Sequence, residues 1–239
     1  FDSTATGVYA RYDTRTSIDD TRTFVDDTRT FVVSHALGTD LTPLVVSGRE
    51  KFGMKLVPWA AVAAELGTDP TCAEQTVGRA FTFLPLPVKT GLPVHVNAYF
   101  ELSSNRRDIW FGGDMAGGGA ARSEWNQALL TDAVAPAYAK TLEAAAQTLG
   151  PSPAFYRLFP TAKSHNAPWS LILPPLYSNL SRCPCLRATD PLQGAEISSR
   201  WVAPATAMFP DGGEPAAPAL ADALRAEGIW LIEGAQKDV

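Results

Sequence analysis

Apolar and polar positions change rhythm several times along this chain, and each change marks an expected element. Between residues 13 and 32 one seven-residue phrase is set down three times, as DTRTSID, DTRTFVD and DTRTFV. An odd period turns each copy of a strand to the opposite face from the one before, so a single straight strand fits poorly. Broken at Asp26-Asp27, the run becomes Thr21–Val25 and Thr28–Val33, two short Thr/Phe/Val strands with a two-residue connection, which describes a hairpin. Asp-Asp lacks the glycine that a tight mirror-image turn prefers. A looser turn, or a segment without fixed structure, stays open as the alternative, with the first copy least ordered. A coiled coil is excluded, because the heptads lack the apolar positions of a seam.

Downstream the periods sharpen. FVVSH reads as a strand. Thr39 or Asp40 can cap a helix with apolar positions at Leu41, Leu44, Val45 and Phe52, and Gly53 ends it. MKLVPW begins a second strand, residues 60–66 suggest a short helix, and 67–77 a polar loop. In GRAFTFLPLPVKTGLPVHVNAYFELSSNRRDIW, Phe81 alternates with Phe83, and Val94, Val96, Ala98 and Phe100 share a face, so two strands of one sheet are expected. The proline-rich PLPVKTGLP between them suits a loop. After GGDMAGGGA, Ser123 can cap a long helix whose stripe is Trp125, Leu129, Val134, Tyr138, Leu142 and Leu149. Pro136 should bend or split that helix, and Gly150-Pro151 closes it. Beyond Gly150, short helices and strands alternate, and 210–218 reads as a loop. The expectation is an α/β fold in three parts: a repeat-bearing hairpin or flexible segment over 1–30, an α/β domain over 31–150, and a small α/β subdomain over 151–239.

Composition narrows the function classes. A chain of 239 residues, 46% hydrophobic, can bury a substantial core. Its net charge is −5, and no Lys/Arg cluster exceeds Arg106-Arg107. The electrostatic footprint for nucleic acid or an anionic membrane is missing. No apolar run is long enough for a membrane span. No signal peptide is visible and the chain reads as a piece of something longer. Cys72 stands alone and Cys183-Pro184-Cys185 lacks a second pair at zinc spacing, so reduced thiols, a cytoplasmic location and no metal are expected.

Candidate chemistry is sparse. His35, His95 and His165 are the bases available at neutral pH. Ser34-His35 has no nucleophile elbow around it, and neighbours on a strand face opposite ways. A small hydrolase using His35 or His95 is a remote alternative. GGDMAGGGA lacks the Lys-Ser/Thr of a P-loop and reads as a connector. Arg106-Arg107, just past a strand and ahead of a long helix, can make a phosphate contact or a solvated ion pair.

The blocks LVPWAAVAA, GRAFTFLPLPVKTGLPVHVN, YFELSSNRRDIW, GGDM, RSEWNQALLTDAVAPAY and SRWVAP, in this order, resemble the repeats of the sacsin family, most closely its plant and green-algal members. The likeness rests on Trp59, Gly78, Arg79, Phe81, Pro85, Pro87, Gly91, His95, Asn97, Trp110 and Trp125 as motif residues. It implies a sheet with a long covering helix like the middle domain of the heat-shock chaperones. It further implies a segment that follows a GHKL-type ATP-binding domain. The Asp-x-Gly-x-Gly and the Glu and Asn of that ATP site are absent from these residues. The resemblance therefore implies a segment that is no enzyme by itself and binds no cofactor, with ATP and magnesium in the adjacent domain and client proteins or co-chaperones as partners. Arg106 or Arg107 is implied as a sensor of the ATP γ-phosphate. A degenerate repeat serving as a protein-binding scaffold, without ATP coupling, is the alternative.

Overall fold

The computed structural model describes residues 21–25, 30–66, 77–112, 118–160, 167–189, 199–208, 218–227 and 229–231. The first repeat copy, the turn at Asp26-Asp27, Cys72, His165 and most of the glycine-rich loop lie outside the described residues.

Strand β1 (Thr21–Val25) pairs antiparallel with β2 (Thr30–Leu37), Val25 opposite Thr30. A hairpin pairing therefore forms, and its second arm, described from Thr30, runs on through SHAL, so that arm and the FVVSH strand are one. Helix α1 (Thr42–Phe52) follows, with Leu41 in the N-cap position. Neither Thr39 nor Asp40 caps it: both lie ahead of the N-cap position and no side chain accepts from the first turn, while the Asp40 N–H donates to the Asp132 carboxylate at 3.0 Å. Gly53 ends it at φ 65°, a left-handed conformation that glycine adopts at no steric cost.

Two expectations fail here. Residues 60–66 are not a helix: strand β3 (Trp59–Leu66) occupies them, and MKLVP before it is a connection. Alanine favours a helix by less than about 1 kcal/mol per residue over ordinary residues. Between β2 and strand β6 (His95–Ala98) both backbone edges of β3 are paired, and its even-numbered side chains are buried, which outweighs propensity. PLPVKTGLP is not all loop either, since Leu84–Lys89 is strand β5. It lies at the edge of the sheet, where prolines without amide donors are tolerated.

Strands β4 (Arg79–Thr82) and β6 (His95–Ala98) complete a six-stranded sheet of order β1-β2-β3-β6-β4-β5. Its pairs are antiparallel except β4 with β6. One face is apolar and small: Val32 and Ala36, then Ala60, Val62 and Ala64, then Ala80, Val96 and Ala98 are all buried.

Against that face lies a long helical unit. Helix α2 (Gly119–Leu129) is capped five residues ahead of the expected Ser123, at Gly118 with φ 83°. Ser123 sits inside the helix and donates to the Gly112 carbonyl at 2.8 Å. A π-helical turn (Leu130–Val134) separates α2 from α3 (Ala135–Leu149). Pro136 explains this split, because a residue without an N–H interrupts the regular bonding and the wider turn absorbs the break. The expected stripe is buried at Trp125, Leu129, Val134, Tyr138 and Leu142. The short helix α4 (Pro153–Tyr156) and helix α5 (Leu173–Leu180) pack on α3. Phe155, Ile172, Leu176 and Cys185 join the same core.

Strands β7 (Leu186–Thr189) and β8 (Ser199–Val202) pair antiparallel, with Ala188 and Val202 buried in a smaller cluster. The short β9 (Ala207–Met208) runs parallel to β10 (Trp230–Leu231), and helix α6 (Pro218–Ala226) lies between them in sequence. The fold is mixed α/β.

Gly78 enters this frame where no side chain fits. A Cβ there would lie 2.0 Å from the Val94 carbonyl and 2.5 Å from that of Leu92. Gly78→Ala should lower stability by about 3 kcal/mol or more, the range of severe packing defects. Gly53→Ala, with open space around the added methyl, should cost only about 1 kcal/mol of backbone strain. Urea unfolding of both variants measures the contrast.

Candidate functional site

The two arginines singled out by sequence stand on a stiff turn. Beyond β6 the chain runs out to Leu102, reverses, and returns at Ile109, these two residues forming an isolated antiparallel bridge. Small polar groups build the reversal. The Ser103 N–H donates to the Asp108 carbonyl and the Arg106 N–H to the Ser103 carbonyl, both at 2.8 Å. The Ser103 hydroxyl lies 2.7 Å from Asn105 Oδ1, which also accepts the Arg107 N–H at 3.0 Å. Arg106 adopts φ 56°, a conformation uncommon outside glycine, asparagine and aspartate. Both arginines are exposed. Among the described residues neither guanidinium enters an ion pair.

The base of the turn is held by a residue that sequence reading passed over. Asn126 is fully buried. Its Oδ1 accepts the Glu101 N–H at 2.9 Å, and its Nδ2 donates to the Glu101 and Trp110 carbonyls, both at 2.8 Å. One amide thus satisfies backbone groups on both arms of the turn. Two indoles add to the hold: Trp110 Nε1 donates to the Gly119 carbonyl at the start of α2, and Trp125 Nε1 to the Tyr99 carbonyl. Arg122 reaches Glu101 at 3.6 Å. The signal for Asn126 was present as a polar residue beside Trp125 on a buried stripe, where an amide must find backbone partners.

The remaining motif residues are spread through the sheet and serve its geometry. Gly78 lets two loop carbonyls approach, and its own N–H donates to the Leu92 carbonyl at 2.8 Å. Gly91 takes φ 72° in the turn before β6. Pro85 and Pro87 lie on the edge strand. His95 Nδ1 accepts the Arg79 N–H at 3.2 Å, and Asn97 Oδ1 accepts the Phe83 N–H at 3.0 Å. Trp59, Phe81 and His95 belong to the face of the sheet away from α3. None of these joins the arginine turn except Trp110 and Trp125.

Ser34 and His35 are separated as the strand alternation required. Ser34 is buried against the helices, while the His35 ring lies 5.6 Å from that of Trp59 on the other face. The two cannot act as a nucleophile and base. Cys185 is buried and its thiol is pushed up to about 11, chiefly by burial and then by neighbouring Cys183. Cys183, partly exposed, donates to the Asn179 carbonyl and is also raised by burial. Among the described residues no three His, Cys, Asp or Glu side chains converge as metal ligands would, and no helix is long and apolar enough to cross a membrane.

Comparison with known proteins adds one relation. The likeness is to sacsin. Over 98 residues, 41% of this chain, the sequence is 41% identical to human sacsin (Homo sapiens). That stretch covers 2% of the human protein, so the chain spans a small fraction of the curated relative it matches. A sacsin-like relationship holds for that stretch. No protein-family model and no solved structure matches the chain.

Asn126→Ala should strip three backbone partners at once and destabilise the protein by about 2 to 3 kcal/mol. Hydrogen exchange should accelerate at the amides of 101–110 before it does in β3. Alkylation of the native protein at pH 8 should spare Cys185, because it stays a protonated, inaccessible thiol there; mass spectrometry of the peptides reads the result.

Proposed function

We propose that this chain is a non-catalytic segment of a sacsin-like chaperone repeat, built like the middle domain of the heat-shock chaperones. It couples an adjacent GHKL-type ATP-binding domain to the binding of client proteins or co-chaperones in the cytoplasm. The observation that carries the reading is the arginine turn. Two exposed guanidinium groups, without carboxylate partners among the described residues, stand on neighbouring positions of an acidic chain, on a backbone stapled to a long helix. Holding a long cation ready in water costs side-chain entropy. A fixed turn reduces that cost when an anion arrives, and a guanidinium fork matches phosphate oxygens.

In this reading Arg106 or Arg107 contacts the γ-phosphate of ATP, which is held with magnesium in the neighbouring domain. Loss of the phosphate removes that contact. Asn126 and Trp110 would pass the change to α2, and from there to the sheet. ATP and magnesium would bind outside this segment.

In the parent protein carrying its own ATP-binding domain, Arg106→Ala or Arg107→Ala should lower turnover. A group that stabilises the transition state in this way is worth roughly 10³- to 10⁵-fold. Lysine at the sensing position should restore only part of it. Steady-state ATP hydrolysis by the two single variants decides the matter: unchanged turnover in both overturns the coupling role and leaves a protein-binding scaffold.

A further inference from the structure

We infer that the sheet face turned away from α3 is a docking surface for a single amphipathic, acidic helix of a partner protein. Strand pairing lays that face out in rows. Leu37 stands opposite Trp59, and the next row runs His35, Ala61, Asn97, Phe81 and Pro85. A solvated sheet face ordinarily carries polar side chains. Here the rings touch one another. Trp59 and Phe83 stack with centroids 5.8 Å apart and planes 3° from parallel, and Tyr99 meets Phe83 edge-on at 5.6 Å. His95 lies between Phe31 and Phe81 in the same manner.

Phe83 carries the argument furthest. It sits at φ 58° with 63% of its surface exposed. A bulky side chain at positive φ is a backbone outlier costing of order 1 kcal/mol or more. The Asn97 amide and the Trp59 ring hold it there. Rigid aromatic anchors fixed before binding lose little entropy on contact, as interface hot spots do.

Area and charge select the occupant. With strands about 4.8 Å apart and alternate residues about 6.8 Å apart, the face measures roughly 20 by 24 Å. That is near 500 Å², short of the ~800 Å² per partner in a standard stable interface, so a second copy of the chain would be poorly held. One helix, about 10 Å across and ~14 residues long, spans its length and lies within its width. An extended segment laid across the face would bury unpaired amides, and strand addition at β5 meets Pro85 and Pro87, which lack donors. At one corner Arg79 stands opposite Lys89, both exposed. Neither makes an ion pair among the described residues; Glu65, the acidic residue of β3 on the same face, stands two strands from Arg79 and has an interaction of its own. Acidic side chains on the visiting helix would meet that corner while its apolar stripe covers the rings.

This deepens only the client-binding half of the function proposed above, and its test needs no nucleotide. A display library of amphipathic helices of about 16 residues, randomised at apolar and charged positions, is selected against the chain. Enriched sequences should pair an apolar stripe with acidic residues near one end. They should bind Phe83→Asn, which keeps the left-handed turn but removes the ring, at least about tenfold more weakly, and lose similarly to the pair Arg79→Glu/Lys89→Glu. Circular dichroism confirms that both variants fold. Failure to enrich any helix, enrichment without acidic residues, or equal binding to Phe83→Asn would overturn the proposal. So would sedimentation showing a dimer that Phe83→Asn dissolves, which would assign the face to a second copy. ATP turnover by the parent protein addresses the arginine turn alone, so the two ideas fail separately.

Discussion

How closely a helix may approach a sheet governs this molecule. The contact surfaces are paved with alanine: Ala36, Ala60, Ala64, Ala80 and Ala98 on the strands, and Ala135, Ala137, Ala145 and Ala146 on the helix. The separation is short enough for the Thr141 hydroxyl to lie 3.1 Å from the backbone carbonyl of Val62 in the middle of β3, and 2.9 Å from that of Ala137 in its own helix. Interiors pack at near-crystalline density. Larger side chains on either surface would lift the helix and forfeit dispersion contacts along the whole seam.

With α3 pressed down, the elements upstream have little freedom. Pro136 cannot continue a regular helix, so the π-helical turn is placed just before the seam begins. That turn carries Asp132, whose carboxylate takes the Asp40 N–H ahead of α1, and negative charge near a helix N-terminus is favourable. Upstream again, α2 is aimed so that Asn126 and Trp125 reach the chain between Tyr99 and Trp110. The arginine turn is thereby fixed to the same rigid unit as the sheet. The base of that turn rests on a buried amide and not on a flexible loop.

The two faces of the sheet divide the work. Residues alternate along each strand, and in β2, β3 and β6 the small apolar set lies inward while rings, imidazoles and Asn97 lie outward. An inward face of alanines permits the close helix. The outward face keeps large side chains partly exposed, where they contact one another.

Much of this was legible in the residues and some was not. The helix stripe from Trp125 to Leu142, the left-handed end at Gly53, and the inward set Val94, Val96, Ala98 and Phe100 followed from periodicity, because burial on one side of a regular element leaves its period in the sequence. AAVAAEL could not be resolved that way. Alanine is small enough for either period, and only pairing with β2 and β6 made it a strand. The prolines of LPLPVK signalled a loop until the strand proved to be an edge. Asn126 looked like one polar residue in a helix, since its partners lie 16 to 25 positions away. Local chemistry by itself determined where the chain can coil, bend and stop. Which carbonyl met which amide across the sheet, and therefore where two arginines and a row of rings came to stand, was decided by tertiary contact, because hydrogen bonds and packing between distant segments leave no period to read.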